Sequence, residues 1–272
     1  MNLKESAKLI ETYLDLDRHP VGVKFLRNEE EYKAVDIPEK PNKVTYCNSI
    51  HLASKGHCLK LRAEHMACGN GAFALGFKEV PAPIVNGQGR VKKGIYENVE
   101  VSKSVNADMK FLETGEIFGY VAQPLSEYAE DDTVDIVIVV SGSFNIMRLI
   151  QGHGYTNAYT NNLRTIGLQA VCQDLTTYPF KTGDINISFL CPGTRLVANW
   201  QQHELGIGIP FAKWYEIVEG VIGTTNAFAR DDVKQDIIKR MKENGYEDRV
   251  DSIVIGTNYD TGTYVGGKVE EL

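Results

Sequence analysis

No apolar run in the sequence approaches the roughly 18 residues that a membrane-spanning helix needs, so a membrane protein is not expected. The opening segment, Met1-Asn2-Leu3-Lys4-Glu5-Ser6, has acidic charge early and no apolar stretch. It does not read as a secretory leader, and a cytoplasmic location is expected. Basic residues are outnumbered, with 29 Lys and Arg against 36 Asp and Glu and a net charge of −7. Phosphate backbones are met by clustered Lys and Arg, so a nucleic-acid partner is not expected either. Internal repeats, low-complexity tracts and linker-like stretches are absent, which leaves one domain as the simplest organisation. Cys-x-x-Cys is absent too, which excludes a zinc ribbon or a ferredoxin-type run.

The 272 residues are enough for one domain with a large core, and 43% hydrophobic against 24% charged is ordinary for a globular chain. Leu3, Ala7, Ile10 and Leu14 recur at helical spacing and predict a helix over 3–15, ended by His19-Pro20. Val21 to Leu26 reads as a strand, 28–35 as a short surface helix, 102–113 as weakly helical and Ile117 to Val121 as a strand. Val134 to Val140 is a β-branched run of the kind buried on both faces at the centre of a sheet. Residues 165–173 and 184–190 look like two further strands, and Ile207 to Gly223 contains a helix. Asp231 to Glu243 is a helix with acids first and bases last, stopped by Gly245, and 250–266 could form a hairpin around Asn258 to Thr261. The expected fold is α/β, with α+β as the variant. It is a single domain over 1–272 with a mixed central sheet flanked by helices, and 226–272 packs on it as a helix-and-hairpin extension.

The five cysteines are an odd number, and in a reducing compartment they do not read as disulfides. Cys47, Cys58 and Cys68 fall within 22 residues, separated by ten and nine. Thiolates suit iron and other soft metals, so the cluster points first to a metal. Cys191, at a turn after an expected strand, is the fourth ligand in this reading; Cys172, inside an expected strand, or a histidine is the substitute. Gly69 and Gly71 beside Cys68 would let backbone N–H groups approach a cluster closely. No P-loop Lys-Ser/Thr follows these glycines, which discounts a nucleotide loop. His51, His57 and His65 are interleaved with the cysteines, and His57 or His65 is expected to face a substrate together with Arg195. Ser141 and Ser143, where the central strand turns into a helix, could bind an anionic ligand, or Ser143 could simply cap that helix. Glu204 is a further acid or base, although a structural role is the commoner fate of such a residue.

Four ordered segments together carry a family resemblance. They are Pro20 to Phe25; Cys47 with Cys68-Gly69-Asn70-Gly71; Met147-Arg148-Leu149-Ile150-Gln151; and Cys191-Pro192-Gly193-Thr194-Arg195 with Glu204 to Pro210. Over roughly 3–225 the chain resembles domain-of-unknown-function family 169, frequent in anaerobes and archaea. The resemblance implies an α/β domain, a cytoplasmic location and, through the anaerobic setting, an iron–sulfur cluster over zinc. Cys47, Cys68 and Cys191 fall on its motif positions; Cys58 does not clearly match.

The reading drawn from this is an iron–sulfur protein with a 4Fe-4S cluster on Cys47, Cys58, Cys68 and Cys191. It would act as an oxidoreductase or Lewis acid on a small molecule or with a redox partner, and base rates for soluble enzymes make a homodimer possible. The alternatives are a metal-free cysteine-nucleophile or sulfur-transfer enzyme, with Cys68 or Cys191 attacking, and a non-catalytic small-ligand-binding or regulatory protein.

Overall fold

β-Branched residues build the centre of the sheet. The fold comes from a computed structural model, which describes residues 1–39, 42–160 and 162–257. Its six strands are β1 (Val21–Leu26), β2 (Leu59–Arg62), β3 (Gly119–Pro124), β4 (Ile136–Gly142), β5 (Asn186–Ser188) and β6 (Glu204–Pro210), in the order β2-β3-β1-β4-β6-β5. Every pairing in this sheet is antiparallel. The protein is thus a single domain of mixed α and β structure with a central sheet flanked by helices, in the α+β arrangement.

Successive strand residues point to opposite faces, so the sheet divides the apolar side chains into two cores. Val21, Val23, Ile136, Ile138 and Val140 enter one core with Tyr46, Ile50, Leu75 and Leu175. Val137, Val139, Ile207 and Ile209 enter the other, beneath the helices Leu3–Leu14, Ser143–Asn157, Phe211–Gly223 and Asp231–Glu243. Two of these helices touch backbone to backbone. A Cβ on Gly220 would lie 2.1 Å from the carbonyl oxygen of Gly152, a contact that only glycine permits. Arg148 is buried beside this crossing. Its guanidinium donates to the Val221 carbonyl (2.7 Å) and to the Thr224 and Thr225 hydroxyls (both 3.2 Å).

One expectation needs correcting. Residues 165–173 do not form a strand. Gly167 and Gln169 both take positive φ (65° and 56°) and turn the chain into a π-helix, Ala170–Thr177. The Thr176 hydroxyl donates to the Val171 carbonyl five residues back. The helix expected within Ile207 to Gly223 is present and begins at Phe211, because Gly206-Ile207-Gly208-Ile209 alternates with a period of two and extends β6. Its glycines are bare for a reason: a Cβ on Gly208 would meet the Leu175 carbonyl oxygen at 2.2 Å, so the π-helix lies directly on the strand. Most of the hairpin expected over 250–266, including its Asn258 to Thr261 turn, lies outside the described residues.

Candidate functional site

Four thiols come from four elements that pack against one another. Cys47 lies in the first turn of helix Tyr46–Ala53, and Cys68 and Cys191 immediately precede the short helices Gly69–Ala74 and Pro192–Leu196. Cys172 sits in the π-helix, and helix Tyr46–Ala53 packs on the other three elements. The Cys172 thiol is held well above its ordinary range, first by burial and then by the neighbouring sulfurs of Cys47, Cys191 and Cys68. Burial also pushes the Cys47 thiol up, opposed by a contact with the Thr45 hydroxyl at 3.3 Å and reinforced by Cys191 and Cys68. Cys172 and Cys47 are therefore protonated thiols at neutral pH.

The expected four-cysteine iron–sulfur cluster is not what this geometry builds. Among the described residues, no three cysteine sulfurs lie within 4.8 Å of one another; the group of potential ligands that does so is Glu39, Glu64 and His65. Cys58 explains much of the failure. Helix Tyr46–Ala53, about 12 Å long, stands between it and Cys47. Cys58 is exposed, and its nearest charged influence is Glu127. With the ligand set go the 4Fe-4S cofactor and the oxidoreductase reading that depended on it. Gly71 leaves no space for a cluster, since a Cβ there would meet Met66 Cε and Tyr46 Cβ at 3.2 Å; Gly69 faces open space.

The Glu39, Glu64 and His65 group already has a cation beside it. Arg62 Nη2 lies 2.7 Å from Glu64 and 3.8 Å from Glu39. The Arg62 backbone N–H donates to His65 Nδ1 (3.1 Å), which leaves the proton on Nε2, 3.8 Å from Glu39. A cation entering here would have to displace the guanidinium and strip that proton.

Beside the thiols lies a set of polar groups that sequence reasoning weighed lightly or missed. His51 follows Cys47 by one helical turn on the same face. Its ring stands edge-on to Trp200, with Arg18 over the indole at 5.0 Å. Burial, then Arg18 and Lys55, hold the His51 pKa down at about 4, so the imidazole is neutral. His51 Nδ1 and Trp200 Nε1 are buried and unpartnered among the described residues. Arg18 forms a 2.5 Å ion pair with Glu204, both side chains nearly buried. Arg195, expected to face a substrate, spends its guanidinium on the carbonyls of Phe189 (3.0 Å), Glu204 (2.8 Å) and Gln201. It ties the Cys191 loop to the start of β6.

A family model described as uncharacterised ArCR, domain of unknown function 169, matches residues 9–220. The chain belongs to this family. No curated protein and no solved structure matches it. In this member of family 169 the remaining segments singled out from sequence have visible places. Arg148 of Met147 to Gln151 joins two helices, as described above. Ser141 is buried and accepts from Asn145 Nδ2 (3.0 Å), while Gly142 rather than Ser143 caps the following helix and Ser143 is exposed. His57 is exposed in the turn before β2. Among the described residues no helix is long and apolar enough to cross a membrane.

Proposed function

We propose that this chain is a metal-free thiol enzyme acting on an electrophilic small molecule, with Cys191 as the nucleophile. One observation carries the reading: Leu190, immediately before Cys191, is held at φ 65° while buried. A bulky side chain in the left-handed region costs on the order of 1–3 kcal/mol and persists only where its surroundings enforce it. Here the Leu190 N–H donates to Ser188 Oγ (3.2 Å), the Cys191 N–H to Thr194 Oγ1 (2.9 Å), and Arg195 holds the loop's carbonyls. The strained turn presents a part-exposed thiol at a sheet edge. Cys47 and Cys172 stay protonated beside it and donate weakly. Attack forms a sulfur–carbon bond as the electron pair of an unsaturated carbon moves to its heteroatom, and the thiol proton leaves to solvent.

Alkylation mapped by mass spectrometry tests this. With iodoacetamide at neutral pH, Cys191 is modified about tenfold or more faster than exposed Cys58, and Cys172 is protected. Equal rates at Cys191 and Cys58 in the folded protein would remove the proposal.

A further inference from the structure

On the other side of the π-helix is a cavity of about 220 Å³ that the thiol site does not use. Its walls come from helix Val99–Asp108, the 163–166 loop and the π-helix. Val105, Met109, Leu163 and Ile166 supply apolar surface, and Gln173 and Asp174 supply buried polar groups. Asp174 is fully buried. Its Oδ2 accepts from Thr165 Oγ1 (3.1 Å) and Ser188 Oγ (2.9 Å), whereas Oδ1 has no partner among the described residues. A buried acceptor left empty costs free energy, so a native structure that retains one at a cavity wall invites a donor.

The rest of the lining decides the class of that donor. Arg164, 3.5 Å from Asp108 and more than half exposed, is the one cation in the lining, and the carboxyls of Asp108 and Asp174 outnumber it. A carboxylate or phosphate would also meet Asp174. The volume is below the roughly 300–1,000 Å³ of pockets for drug-sized ligands, which fits a single ring. Apolar walls with one open carboxyl oxygen, Asp174 Oδ1, match a flat ring bearing an N–H donor.

We propose that this cavity binds a small, flat nitrogen base of the amidine type, one N–H of which donates to Asp174 Oδ1. The charged and titratable groups around Asp174 are Asp108 and Arg164 across the cavity, Cys172 on its own helix and Tyr178 on the helix that follows. Burial lifts the Asp174 carboxyl to about 7, so a cationic base binding below that pH displaces its proton. The proposal does not rest on the thiol reading, although Ser188 Oγ touches both sites, accepting from Leu190 N–H and donating to Asp174.

Benzamidine, benzamide and benzoate are the probes, titrated calorimetrically into the full chain at about pH 6 in two buffers of different ionisation enthalpy. Benzamidine binds and releases up to one proton, benzamide binds more weakly and benzoate not at all. Asp174→Asn weakens benzamidine ~10- to 100-fold. Val105→Trp fills the cavity from the opposite wall and also abolishes binding, with the carboxyl intact. Failure of benzamidine to bind at millimolar concentration, unchanged affinity in both variants, or preference for benzoate overturns the proposal.

Discussion

The His51 ring meets the Trp200 indole edge-on at 4.8 Å between centroids, and neither His51 Nδ1 nor Trp200 Nε1 has a hydrogen-bond partner among the described residues. Aromatic packing holds the pair together while two buried polar atoms go unmet. Trp200→Phe keeps most of the ring contact and removes the orphan donor, so urea unfolding shows a loss of about 1 kcal/mol or less. Trp200→Ala loses the ring itself and costs about 3–5 kcal/mol. A large loss in the Phe variant would mean that the indole N–H is satisfied in solution.

The Arg18–Glu204 pair, nearly buried on both sides, is predicted to be strongly coupled. Glu204→Ala strands a guanidinium and the Gln201 N–H that Glu204 also accepts, and costs about 3–5 kcal/mol. Arg18→Met with Glu204→Leu removes both charges and costs clearly less than the two single changes added together. A double-mutant cycle in urea measures the difference.

Helix Ser143–Asn157 and helix Phe211–Gly223 approach through Gly152 and Gly220. Gly220→Ala forces the Gly152 carbonyl away and destabilises by about 3 kcal/mol, and thermal unfolding shows the shift. Gly69→Ala, which meets open space, leaves the melting temperature nearly unchanged.

Asp174 and His51 give opposing pH dependences. From about pH 4 to 7 native Asp174 keeps a proton that the unfolded chain has released, so its contribution makes stability fall as pH rises. Native His51 is neutral between about pH 4 and 6.5, where the unfolded imidazole is protonated, so its contribution makes stability rise with pH. Relative to the unsubstituted protein, Asp174→Asn therefore removes a contribution that falls from pH 4 to 7, by about 4 kcal/mol at most, and its profile rises more steeply with pH. His51→Gln removes one that rises from pH 4 to 6.5, and its profile rises less steeply. Urea midpoints across this range check both signs, and parallel profiles in the two variants would contradict the assignments.

Local pattern made much of the fold legible. β1 was readable from Val21 to Leu26 and helix Asp231–Glu243 from its charges, and the β-branched run at 134–140 marked the sheet centre as β4. The π-helix was not legible, because its apolar residues pass equally for a strand and its start depends on positive φ at Gln169. Around the site, the proximity of Cys47, Cys68 and Cys191 follows segments recognisable in sequence, whereas Cys58 shared only their spacing and stands apart. Asp174 carries no local signal, and His51 has only its place among the cysteines. What sets them apart is burial by chain far away in sequence, and the cavity beside Asp174 exists only once helix Val99–Asp108 and the 163–166 loop have met.

That loop is not an independent flap. Asn186, fully buried on edge strand β5, accepts from the Arg164 N–H and donates to the carbonyls of Arg164 and Asp174, all at 2.8 Å. One side chain thus fastens two walls of the cavity to the sheet. The cavity's shape is in place before any ligand arrives, and little conformational freedom is left for binding to remove. Preorganisation of this kind favours affinity from few contacts, and it makes Asn186, which lines nothing, the residue on which the fit of a single ring most depends.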